Sequence, residues 1–136
     1  MGAEMCIRDR PYFLARYPKH PLAVGDIAQA AKQVRRLAEQ GDAMCLDIFR
    51  VQAHAMGLFF DEMVNVFDPD ALVVGGGAVE TSADFQRWFL DQIRIAMPSQ
   101  REEQVGIAIR VMPNGDTAGA RGAALDAVRL VRTRTL

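Results

Sequence analysis

Cysteine is scarce: Cys6 and Cys45 are the only two in 136 residues. Neither belongs to a Cys-x-x-Cys pair or sits near a histidine at zinc-ligand spacing, so no zinc finger or dithiol redox motif is encoded. A reduced, cytoplasmic protein is the simplest expectation. Net charge is also lacking. The formal value is −1 with 24 % charged residues, which leaves no electrostatic footprint for nucleic acid or an anionic membrane. No apolar run approaches the roughly 20 residues of a membrane span. The N-terminus has no basic start followed by an apolar stretch, so no signal peptide is read. Two common nucleotide fingerprints are missing as well: there is no G-x-G-x-x-G, and no Gly-Lys-Ser/Thr closes a phosphate loop. What is present is a chain half hydrophobic and about one domain long, enough to bury a core.

The order of the chain is legible from punctuation and period. Residues 1–10 show no clear period and are expected to be a disordered or foreign start. From Pro11 to Gly25, three prolines among Tyr12, Phe13 and Tyr17 argue for a packed surface loop instead of a regular helix. His20 in this loop is expected to be solvated. Asp26 is a candidate cap for a helix from Ile27 to about Gln40, with Ile27, Ala30, Ala31, Val34, Leu37 and Ala38 on one stripe and Lys32, Arg35, Arg36 and Glu39 outside it. Gly41 reads as a helix stop and Asp42 as the next N-cap. The helix that follows, Ala43 to about Phe67, is roughly 37 Å long at 1.5 Å per residue. It is apolar on most sides, as expected of a helix buried in a larger body. Gly57 in its middle costs ~1 kcal/mol against alanine and is expected to permit close approach of another backbone. Cys45 and His54 read as packed helix residues, and Asp61, Glu62 and Asn65 as exposed ones, with Asn65 facing the glycine run as the weaker alternative.

The chain turns on Asp68-Pro69-Asp70-Ala71-Leu72-Val73-Val74-Gly75-Gly76-Gly77-Ala78. Ala71 to Val74 reads as a buried strand that stops in glycines. Such a stop leaves backbone N–H groups free, with nothing larger than hydrogen blocking a ligand. Glycines after a strand are also plain turn punctuation. A third helix is expected from Thr81 or Ser82, with Thr81-x-x-Asp84 resembling a capping box. Its stripe is Phe85, Trp88, Phe89, Gln92 and Ala96, Trp88 packs against the sheet, and Pro98 marks its end. Residues 101–104 read as a solvated connection. Val105 to Met112 alternates as a strand. Strand, helix and strand make a βαβ unit, expected to be parallel and right-handed. That places Pro113 to Thr117 beside Gly75 to Ala78, at the carboxyl edge of the strands, where open α/β sheets bind ligands. A last helix from about Thr117, rich in small residues, is expected to pack tightly on the sheet. Its arginines near the C-terminus complement the helix dipole.

Gly41-Asp42, the run Asp68 to Gly77, and Asp116-Thr117-Ala118-Gly119-Ala120-Arg121-Gly122-Ala123-Ala124 resemble, in order and spacing, the C-terminal part of the ROK family. This family comprises bacterial sugar kinases and repressors of the actin-like ATPase superfamily. The resemblance runs from about Pro11 to Val131 and is nearest to glucokinase-like members. It implies an α/β fold: the C-terminal part of an actin-like ATPase (ribonuclease H-like) domain, incomplete here. It also implies that Gly75, Gly76, Gly77 and Ala78 line an adenine-nucleotide pocket, with MgATP as phosphoryl donor to a sugar hydroxyl and a homo-oligomeric full-length protein. Three family motifs are absent from this chain. They are the Asp-x-Gly-Gly-Thr phosphate loop, the catalytic Asp after an Asn, and the zinc motif (a His plus Cys-x-Cys-Gly-x-x-Gly-Cys) that would precede Pro11. A kinase portion without catalytic base or metal residues is therefore expected, inactive by itself, folding poorly alone and prone to self-association through exposed apolar surface. Two alternatives remain: the sugar-sensing lobe of a repressor, and an unrelated binding module in which the glycines are only a turn.

Overall fold

The computed structural model describes residues 11–23, 27–76, 79–98, 106–112 and 115–134; the expectations for residues 1–10, for the Asp26 cap and for residues 101–104 lie outside them. A short helix α1 spans residues 11–16. Proline does not prevent it, because Pro11 sits at the first position, where the missing N–H would have had no helical partner. Pro18 lies beyond its end, and Pro21 opens a single 3-10 turn, Pro21–Ala23. Helix α2 is Ile27–Glu39 and α3 is Ala43–Phe67. Gly41 between them adopts φ 85°, which glycine enters without strain. Asp42 caps α3 by accepting a hydrogen bond from the Cys45 amide at 2.9 Å. Asp68 ends α3 in the left-handed region with φ 45°, and Pro69 follows.

Strand β1 is Ala71–Val74, helix α4 is Ala83–Ala96 and strand β2 is Ala108–Val111. The strands pair in parallel, Ala71 opposite Ala108 and Val74 opposite Val111. The Met112 amide extends the ladder to Val74 O at 2.8 Å. The expected strand–helix–strand order with parallel pairing is present, although β2 is shorter than the alternating segment. One face of the pair, Leu72, Val74, Ile107 and Ile109, is buried with Phe85, Phe89 and Ile93 of α4 and with Phe49, Ala53, Phe60 and Val64 of α3. Trp88 is half-buried on the flank of α4, against Phe85 and under the Arg50 guanidinium, with ring centroids 5.0 Å apart and the guanidinium carbon 5.9 Å from the indole centroid.

Helices α3 and α4 touch backbone to backbone. A Cβ on Gly57 would lie 2.6 Å from both Ala96 Cβ and Ile93 O. The mid-helix glycine is therefore what lets the C-terminal turn of α4 settle on α3.

Two expectations give way. Helix α3 is buried on one side only: Val51, Leu58, Phe59, Val66 and Phe67 are exposed, and His54 with them. The last helix, α5, is Gly115–Arg134, and residues 119–131 are exposed throughout. A Cβ on Gly119 or Gly122 would meet nothing within 4 Å. The small residues do not press α5 onto the sheet, and the face of the strands away from α3 and α4 leaves Val73 and Arg110 exposed. Among the described residues no helix is long and apolar enough to cross a membrane.

Candidate functional site

Both strands of a parallel pair end at the same edge; β1 runs into Gly75 and Gly76, and Gly115 opens the helix that comes after β2. Gly75 follows β1; a Cβ placed on it would lie 3.3 Å from Met112 Cβ, so glycine is what fits beside β2. Gly76 has φ 93° and is exposed, with nothing within 4 Å of where a Cβ would stand. Its carbonyl accepts from the Val79 amide at 3.0 Å, closing the turn. Gly77 and Ala78, the other two expected nucleotide contacts, lie outside the described residues. Gly115, the first residue of α5, stands directly against this turn: a Cβ there would lie 3.5 Å from the Gly76 amide nitrogen and 3.2 Å from Glu80 Oε1. Of the expected approach of residues 113–117 to residues 75–78, the Gly76–Gly115 contact is present, while Pro113 and Asn114 lie outside the described residues. The Glu80 carboxylate thus lies beside the residue that opens α5.

The segment after the turn is fixed from three sides. Val79 is buried at 2 % exposure and anchors it in the core. Gln86 Nε2 donates to Val79 O. Arg35 Nη1 donates to Glu80 O at 2.8 Å, and Glu39 Oε1 accepts from the Ser82 amide at 2.8 Å. Ser82 is the N-cap of α4, its Oγ accepting from the Phe85 amide at 3.4 Å. In a capping box the residue three positions on would bond back to the Ser82 N–H. That residue is Phe85, which has no acceptor, and Glu39 of α2 supplies the bond instead. The expected Thr81–Asp84 box therefore does not form. Asn65 is exposed and donates to Asp61 O on its own helix at 2.9 Å.

His20 corrects the reading of a solvated loop residue. Its side chain is only 8 % exposed, and Nε2 lies 2.9 Å from Asp42 Oδ2. The Leu22 amide donates to Nδ1 at 3.1 Å. Nδ1 must therefore carry the lone pair, and neutral His20 carries its proton on Nε2, donated to Asp42. The ligand atoms of His20, Asp42 and Cys45 lie within 4.8 Å of one another, a set of metal-ligand types. A metal-bound histidine donates its other ring N–H to an acceptor; here that nitrogen faces a donor. The cluster is a latch between the α1–α2 connection and the start of α3. Nearby, Tyr17 Oη donates to Asp47 Oδ2.

These bonds set an acid limit. Burial works to raise the Asp42 carboxyl pKa, but the hydrogen bonds from the Cys45 amide and His20 outweigh it, holding it below the ordinary value. The Tyr17 hydrogen bond, against some desolvation and with help from Arg50, does the same for Asp47. A carboxylate depressed in the folded state contributes stability above its unfolded pKa of ~4 and loses it as pH falls through the folded value. The urea midpoint is expected to fall on acidification below about pH 4, and less steeply in Asp42→Asn. An identical acid slope in that variant would remove Asp42 from the account.

A family model, described as ROK family, matches residues 23–129. The chain belongs to the ROK family. No curated protein and no solved structure matched it. Membership points to a sugar kinase or a repressor.

Proposed function

We propose that this chain supplies the nucleotide-facing wall of a ROK-type sugar kinase, of glucokinase-like specificity, in a domain of the actin-like ATPase kind. The observation that carries this reading is the junction of Gly76 with Gly115 at the carboxyl edge of the parallel strands. Gly75 and Gly76 present backbone without side chains, and Gly76 faces open space. That surface fits a flat ligand such as an adenine nucleoside lying on the turn. MgATP would supply the phosphoryl group. The residues of this chain would seat and orient the nucleoside end; no residue here is assigned as the base for the sugar hydroxyl or as a magnesium ligand.

Titrating isotope-labelled chain with MgATP, with amide resonances as the readout, tests the reading. The Gly75 and Gly76 amides are expected to shift. Gly76→Val, a β-branched residue forced to φ 93°, is expected to abolish the response while far-ultraviolet circular dichroism stays native. A wild-type chain whose glycine amides ignore MgATP would sink the proposal. No ATP-dependent glucose phosphorylation is expected from the purified chain, and measurable turnover would overturn its assignment as a wall without the base.

A further inference from the structure

We infer that Arg35 and Glu39 on α2 are positioning residues for the glycine edge, an inference that rests on the nucleotide reading above. Neither touches the turn itself. Arg35 holds the carbonyl of Glu80 and Glu39 holds the amide of Ser82, each at 2.8 Å and across 45 and 43 residues of sequence. Residues 35 and 39 stand one helical turn apart, about 6 Å, and that turn of α2 meets two backbone groups of the bent segment that follows the glycine turn. The chemistry alternates with it, a donor meeting a carbonyl and an acceptor meeting an amide. Opposite charges four apart on a helix ordinarily attract each other, yet among the described residues Arg35 and Glu39 form no ion pair, and both are used on the backbone of the segment.

The segment they hold connects the two halves of the edge. It begins at Val79, whose amide closes the Gly76 turn, carries the Glu80 carboxylate that lies against Gly115, and ends at Ser82, which caps α4. Fixing Glu80 O and Ser82 N therefore sets the spacing between Gly76 and the first turn of α5. Loss of either tether leaves the core residues Val79, Phe85 and Phe89 in place and loosens only the edge.

The test uses the full chain with Glu39→Ala, Glu39→Gln and Arg35→Met. Three quantities are read: hydrogen exchange at the Ser82 amide, the Gly76 amide shift without nucleotide, and the Kd for MgATP. Glu39→Ala is expected to speed Ser82 exchange, move the Gly76 resonance and weaken MgATP about five-fold. Glu39→Gln keeps Oε1 as an acceptor and is expected to restore all three to near wild type. A merely structural role would not separate these two variants while the unfolding midpoint stays level. Arg35→Met is expected to match Glu39→Ala in affinity. Unchanged affinity in Glu39→Ala despite faster Ser82 exchange overturns the inference, and so does a Gln variant as weak as the Ala variant. If the unaltered chain binds no MgATP, the nucleotide reading is what fails. The Gly76 shift then decides the tether alone, and an unmoved resonance overturns it.

Discussion

Gly57→Ala is expected to destabilise the chain, although alanine is the better helix former by ~1 kcal/mol. The added methyl would stand 2.6 Å from Ile93 O and 2.6 Å from Ala96 Cβ. Neither neighbour is the far end of a flexible side chain; one is helix backbone and the other is fixed to it. Relief requires α4 to lift from α3, which exposes Phe89 and Ile93, both fully buried. Overpacking of this kind costs about 1–3 kcal/mol, set against the propensity gain, and Gly57→Val removes that gain while adding bulk. Gly122→Ala is the matched control, since the same methyl there meets nothing within 4 Å. Urea unfolding followed by circular dichroism reads all three. A midpoint raised by Gly57→Ala as much as by Gly122→Ala would show that the helices do not touch as described.

Phe89→Ala should be the most damaging substitution of a large side chain. The ring is 0 % exposed and stands edge-on to Phe49, with centroids 5.7 Å apart at 88°. Phe49 stacks in the same way on Phe85 at 4.9 Å and 83°, so one deletion opens a three-ring cluster. Truncating a buried phenylalanine costs about 3–5 kcal/mol, against a total stability of about 5–15 kcal/mol for a domain. Phe59→Ala, on the outer face of the adjacent helix at 57 % exposure, is expected to change stability by less than about 0.5 kcal/mol. Comparable losses in the two variants would mean that the outer face of α3 is covered in solution.

Local chemistry made much of this fold legible. Gly41-Asp42 announces a stop and a cap, Ala71 to Val74 ends in glycines, and the alternation through Ile107, Ile109 and Val111 gives β2; each signal sits within a few residues. The parallel pairing followed from the helix between the strands, and the close approach at Gly57 from an otherwise costly residue. The pieces that sequence reasoning missed are long-range. His20 looked solvated beside two prolines and a lysine, because its partner Asp42 lies 22 residues away. Arg35 and Glu39 fell outside the apolar stripe of α2 and so read as surface charges; their i, i+4 spacing with opposite sign was the only cue. Apolar content misled in α3, where hydrophobicity on most sides implied burial on most sides. Small residues misled in α5, where they imply that close packing is possible and not that a surface is there to receive it.

The contact at Gly57 also fixes how α4 can move. Two helices whose backbones touch have no side-chain cushion between them, so separation is opposed by the whole buried cluster. Sliding is opposed as well, because Ala53 and Phe60, the buried residues either side of Gly57 on that face of α3, carry the Cβ that it lacks. Helix α4 begins at Ser82, held by α2, and ends over Gly57. Tied to α2 at its first end and seated in the Gly57 notch at its last, α4 is a strut fixed at both ends.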